Sequence, residues 1–226
     1  VEDGRGGLDR DTTTAYIFPL GQRELEPDEH TVLLDHFNDS TLANNLYPPS
    51  CLTYGPSLSG LGKSAVFAGA CRIRYDLSPW YAVTQGARGT IEVLVRITGD
   101  YGRDLIIFQW VAADNPPSGG WIGRLRTTDD GLLYWWTWGS EAPLDHLVGK
   151  TSVPKDRWTH VAVTWGEAGT RLYIDGRVDT AAAFNLCPQM SAELHVYSGT
   201  DFGYLDELHV SSMQRPGEEI YAHYLL

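Results

Sequence analysis

An all-β antiparallel sandwich is the fold class this sequence predicts, and three observations point to it. Residues 158–165 alternate, with Thr159, Val161, Val163 and Trp165 on one side of an extended chain. Trp158, His160, Ala162 and Thr164 take the other side, a period of two that marks a strand with two distinct faces. Next, Arg171–Ile174 runs into Asp175-Gly176, a two-residue hairpin signal because glycine accepts positive φ at no steric cost. Finally, short strand-like runs recur along most of the chain between clusters of Gly, Pro, Asn, Asp and Ser, a density typical of sandwiches and barrels.

The elements follow in order. Residues 1–30 are Gly-rich, charged and polar apart from a strand-capable patch at 12–18. They read as an N-terminal arm or linker that is loose, docks on the body, or reaches another copy. Strands are expected at 31–37, 51–54, 63–68, 71–75, 89–98, 104–111, 121–127, 132–138, 158–165, 171–174, 177–183, 193–197 and 203–211. Turns fall at 47–50, 99–102, 114–120 and 129–131, each rich in Gly, Pro, Asp or Asn. A short helical turn is expected at Asp76–Trp80 and a brief terminal helix within Met213–Tyr224. The tetrads Glu193-Leu194-His195-Val196 and Glu207-Leu208-His209-Val210 echo each other, which two similarly patterned strands explain without a repeat architecture.

Several of these runs, in this order, carry a family pattern. Trp158–Ala162, Leu172–Gly176 and Gly203–Val210 resemble the "W-x-H-V-A" strand, "L-Y-I-D-G" hairpin and late "G-x-[IL]-D-E-[LV]" strand of laminin-G-like domains. Thr31–Ser40, with its His36-Phe37-Asn38, resembles their opening strand. Gly62–Phe67 and Thr90–Arg96 resemble two further strands. The chain is thus similar to the laminin-G-like, concanavalin A-like lectin and glucanase superfamily, with motifs spaced over residues 31–221 of an expected domain at 31–226. The resemblance implies a single jelly-roll β-sandwich.

At 226 residues the chain suits one such domain and can bury a core without metals. Its net charge of −12 argues against nucleic acid or an anionic membrane surface as partner. No apolar run approaches the roughly 20 residues of a membrane span. Without an initiating Met or an apolar leader, the chain reads as starting after a processed segment. Two of the three cysteines can pair, and Cys51–Cys71 is the expected disulfide because both lie on neighbouring predicted strands. Three buried thiols are the alternative.

Catalytic signals are weak. A glycosidase on this sandwich needs two carboxylates on one face of a strand or cleft. Asp206 and Glu207 are adjacent, so a regular strand sends them to opposite faces, and Glu92 stands alone in its strand. No Gly-x-Ser-x-Gly elbow and no phosphate loop is present. His195 and His209 would bind zinc only if their strands paired.

The resemblance implies a structural calcium between the first and last strands, with Asp206 as the late ligand and Asp35, Asn38 and Asp39 from the opening segment. Oxygen donors of this kind suit that hard cation. The aromatic strand is the candidate binding surface: Tyr134, Trp136 and Trp138 share one face, Leu133 and Trp135 the other, with Trp121 nearby. Exposed, those rings would form a platform for sugar or protein; buried, they would be core.

The expected function is a non-catalytic recognition or adhesion module, outside the cell or on a virion or cell surface, whose partner is a glycan or a surface protein. The alternative is a coat, fibre or decoration subunit that forms a homo-oligomer through the arm. A glycoside hydrolase or polysaccharide lyase is third.

Overall fold

The computed structural model describes residues 23–38, 52–58, 62–67, 71–78, 87–101, 105–111, 121–137, 145–188, 193–197 and 203–226. They form β1 (Thr31–Asp35), β2 (Leu52–Pro56), β3 (Lys63–Phe67), β4 (Arg72–Asp76), β5 (Gly89–Ile97), β6 (Ile106–Val111) and β7 (Trp121–Thr127). Then come β8 (Leu132–Thr137), β9 (His146–Ser152), β10 (Trp158–Trp165), β11 (Thr170–Ile174), β12 (Arg177–Ala182), β13 (Glu193–Tyr197) and β14 (Gly203–Ser211). A terminal helix, α1 (Gly217–Leu225), follows. None of the described helices is long and apolar enough to cross a membrane.

Two antiparallel sheets stack. The larger has eight strands in the order β12-β11-β10-β5-β14-β3-β2, with β1 pairing β14; the smaller has six in the order β4-β13-β6-β7-β8-β9. The expected all-β sandwich is present. The expected hairpin is present as well: β11 pairs β12, and β10 pairs β11 on its other side. Its Asp175-Gly176 turn has φ of 49° and 71°, the positive pair a tight hairpin needs.

Between the sheets lies one apolar core. Trp165 of the large sheet meets Trp110 and Trp135 of the small one at centroid separations of 5.7 and 5.9 Å, which locks the layers together. Gly89, opposite Trp165 in the ladder, leaves space for that indole: a Cβ there would lie 2.5 Å from the ring.

β9 is a strand that the sequence pattern does not signal. Its sequence, HLVGKTS, lacks clean alternation and carries a mid-strand glycine, and its edge position leaves most of it partly or fully exposed. His195 and His209 do not pair: β13 belongs to the small sheet and β14 to the large one. This corrects the adjacent-histidine zinc pattern.

Residues 23–30 of the arm lie against the body of their own chain. Arg23 N donates to Leu226 O at 2.9 Å, and Leu25 N donates to Glu207 Oε2 at 3.0 Å. Asp28 accepts from the buried Arg215 guanidinium at 2.7 Å. The patch at 12–18 lies outside the described residues. Cys71 is buried and disulfide-bonded; Cys51 lies outside the described residues. Cys187 is a thiol whose burial pushes it up to about 11.

Candidate functional site

Alternation within the small sheet sorts its side chains onto two faces. Ile73, Tyr75, Leu194, Val196, Phe108, Trp110, Leu125, Leu133 and Trp135 point into the core. The residues between them point outward. The ladder aligns these outward residues into one row across all six strands. Arg74 faces His195, His195 faces Gln109, Gln109 faces Arg124, Arg124 faces Trp136, and Trp136 faces His146.

One flank of the row is aromatic and cationic. The Arg126 guanidinium lies 4.2 Å from the Tyr134 ring centroid, and His146 stacks on Tyr134 at 5.4 Å with planes 10° apart. β7 and β9 flank β8, so Tyr134 is held between them. Trp136 has Arg124 over its ring at 5.6 Å and donates from Nε1 to Asp145 Oδ2 at 3.2 Å. Asp145 also receives His146 Nδ1 at 2.7 Å, which holds its carboxyl below the usual range.

The centre of the row is polar. Arg74 grips Glu193 with two nitrogens, at 2.7 to 3.2 Å. Glu193 Oε2 in turn receives His195 Nε2 at 3.0 Å. Burial pushes His195 below its usual value, partly countered by Glu193 and reinforced by Arg72, so the ring is neutral at neutral pH. With Nε2–H given to Glu193, Nδ1 is a bare acceptor. That Nδ1 and Gln109 Oε1 are both buried with no hydrogen-bond partner among the described residues. Two neighbouring acceptors on an outward face, both unused, are a costly arrangement in an unliganded fold. They suit a ligand that brings hydroxyl donors.

Tyr134 and Trp136 are outward and half-buried, while Trp135 is wholly core. Trp138 lies outside the described residues, and so does the Trp121 side chain. The Tyr134 ring is packed against Arg126 and His146.

Of the described residues in the implied calcium set, Asp35 and Asp206 face opposite sides of the large sheet. Asp35 turns inward, accepting Phe37 N at 2.8 Å and the Tyr75 hydroxyl at 3.0 Å. Asn38 bonds Glu24 Oε1 and accepts Lys63 N at 2.8 Å. Asp206 turns to the opposite face of the large sheet and lines a cleft beside α1. Asp39 lies outside the described residues. Burial, then the neighbouring Glu207 charge, pushes Asp206 up to about 8. Asp206 and Glu207 also depart from the expected opposite faces. A bulge with Glu207 at φ 50° breaks the alternation, and both side chains line that cleft. Glu207 is engaged there by His36 Nδ1 at 2.9 Å.

Gln109, His195, Arg124 and Arg126 sit at outward positions of strands that were foreseen, but no sequence signal shows which strands are neighbours. His146 lies on the strand that was missed.

Comparison with known proteins fits this architecture. The model of the Concanavalin A-like lectin/glucanases superfamily matches residues 76–221. No curated protein sequence matches the chain. Among solved structures, domain 4 of AbnA, an extracellular arabinanase of Geobacillus stearothermophilus, in complex with arabinotriose, is similar. It has a TM-score of 0.59 and 17% identity, over 86% of this chain and 98% of that one. The botulinum neurotoxin serotype D ligand-binding domain in complex with N-acetylneuraminic acid is similar at TM-score 0.62 and 11% identity, over 86% of this chain and 50% of that one. A Trypanosoma rangeli sialidase is similar at TM-score 0.62 and 12% identity, over 88% of this chain but 33% of the enzyme. The chain therefore spans about half or less of the toxin and sialidase structures it matches. At these identities the likeness is one of fold.

Proposed function

The chain belongs to the concanavalin A-like lectin/glucanase superfamily, and we propose that it acts as a non-catalytic carbohydrate-binding module using the outer face of its six-stranded sheet. One observation carries this reading: the unused acceptors His195 Nδ1 and Gln109 Oε1 lie in the same cross-strand row as the half-buried Trp136. A sugar ring offers hydroxyl donors for the first two and an apolar C–H face for the indole. Arabinotriose and N-acetylneuraminic acid in structures of like fold support a glycan as the partner class.

Geometry favours binding over hydrolysis on this face. The carboxylates Glu193, on β13, and Asp145, just before β9, are four ladder steps apart. At about 4.8 Å per step they stand roughly 19 Å from each other. A glycosidase pair needs no more than about 9.5 Å. A disulfide at Cys71 supports an oxidising, extracellular setting.

The test is a glycan array spanning neutral arabino-oligosaccharides and sialylated glycans, followed by calorimetry with W136A. Saturable binding that W136A weakens supports the proposal. An array without binding, or binding that W136A leaves unchanged, overturns it.

A further inference from the structure

The other outer face, under α1, holds a second site. Glu92 lies in the middle of β5, wholly buried. Across the ladder it faces His209 of β14 on one side and the small Ala162 of β10 on the other. His209 Nδ1 is 2.9 Å from Glu92 Oε1. His223, on α1, places its own Nδ1 2.8 Å from the same oxygen. His160 of β10 places Nε2 3.2 Å from the other oxygen, and its Nδ1 is buried without a hydrogen-bond partner among the described residues.

The Thr31 hydroxyl accepts Asp28 N at 2.9 Å and lies 3.0 Å from both Asp28 Oδ1 and His209 Nε2. It has one proton to give, and the carboxylate is the stronger acceptor. His209 Nε2 therefore carries a proton and donates it to Thr31. Its Nδ1 must then face Glu92 either with a second proton or with a lone pair directed at a cation. A metal-bound histidine is held in this way: the far ring nitrogen donates to a fixed oxygen, and the near one is left to coordinate.

We infer that Glu92, His209 and His223 form a binding site for a divalent transition metal such as zinc, which pins α1 to the large sheet. The three donor atoms all lie within 4.8 Å of one another. Donors at zinc bond lengths of 2.0–2.2 Å in a tetrahedron sit about 3.3 Å apart, so the carboxylate contacts need open only about half an ångström. One carboxylate and two imidazoles are an established zinc donor set. His160 contacts the other carboxylate oxygen of Glu92 and is outside the three-donor set. Of the three ligands, His223 lines the cleft beside α1, with His160, Leu94, Asp206 and Tyr224, and is the one nearest solvent. This site is independent of the sugar-binding face, because it occupies the other sheet.

The test uses the full chain, stripped with a chelator and dialysed against zinc, with metal counted by mass spectrometry. One zinc per chain, a raised melting temperature and the visible bands of tetrahedral Co²⁺ on cobalt substitution are expected. H223A removes a ligand from the rim of the helix. It should weaken zinc binding by at least about tenfold, and T31V, which removes the supporting hydroxyl, by about tenfold. Circular dichroism checks that each variant is folded; if E92Q fails that check, H223A and T31V carry the test. Metal below half an equivalent in the wild type, or H223A binding zinc as tightly as wild type, overturns the inference.

Discussion

The Arg126 guanidinium lies over the Tyr134 ring, 4.2 Å from its centroid, with His146 stacked on the same ring. Contacts of this kind hold both partners rigid. They also occupy ring faces that a sugar would otherwise use. In the proposed site the apolar contact is assigned to Trp136, which itself carries Arg124 over its ring at 5.6 Å, and polar recognition to the row beside it.

Trp135 and Trp136 are neighbours with opposite fates, and mutation should separate them. Trp135 is buried among Phe108, Trp110 and Trp165. Trp135→Ala is expected to destabilise the fold by about 3–5 kcal/mol. Trp136→Ala should cost about 1 kcal/mol or less in stability. It should weaken glycan binding by about tenfold or more. Urea melts and calorimetry measure the two.

Gln109→Leu should move stability and affinity in opposite directions. It replaces a buried acceptor that lacks a partner among the described residues with an apolar group of similar size. The melting temperature should hold or rise, while glycan affinity falls about fivefold, the worth of one neutral hydrogen bond. A parallel loss of both would show Gln109 to be structural.

His195 makes the proposed binding pH-dependent. Its folded value lies below the usual 6.5, mainly through burial. As pH falls through that lowered value, Nδ1 gains a proton and ceases to accept, so affinity should decline on the acid side. Stability shifts the same way. The unfolded chain takes up the proton first, so stability drops as pH falls below 6.5. Affinity titrations at several pH values, with H195A as the flat control, check this.

Asp206 should give the opposite slope. Its carboxyl is raised from 3.8 to about 8, mainly by burial. Between those values the folded chain holds a proton that the unfolded chain has lost. Stability should therefore fall as pH rises through that window, at most by about 1.4 kcal/mol per unit, and level off above it. Asp206→Asn should flatten the slope in denaturant melts across the same range.

The docked part of the arm should be measurable by truncation. Arg215 is buried and paired with Asp28 and, through its other terminal nitrogen, with Glu219. Burial opposes ionisation of Asp28, but Arg215, Thr31 and His30 hold its carboxyl down at about 2. A chain starting at residue 31 loses this partner and should be destabilised by about 2 kcal/mol relative to one starting at residue 23. Equal melting temperatures would count against it.

Much of the fold was legible because strands advertise themselves locally. The alternation of Trp158–Trp165 and the Asp175-Gly176 turn need only a few residues of context. β9 escaped notice because an exposed edge strand has no apolar stripe to display. The alternation rule also misplaced Glu207, since a bulge inserts one residue where only the pairing with β5 reveals it.

The sequence by itself determined the class of fold, the order of most strands, the hairpin and the split of Tyr134 and Trp136 from Trp135. Those properties follow from side-chain period and turn chemistry, which act over short stretches of chain. Beyond that hairpin, only the tertiary structure decided which strands are neighbours. That decision separated Asp35 from Asp206 and placed His195 and His209 on different sheets. It also aligned Gln109 with Trp136, and it gathered Glu92, His209 and His223 around one oxygen. Sites depend on contacts between residues far apart in the chain, and a period read along one strand holds no information about its partner.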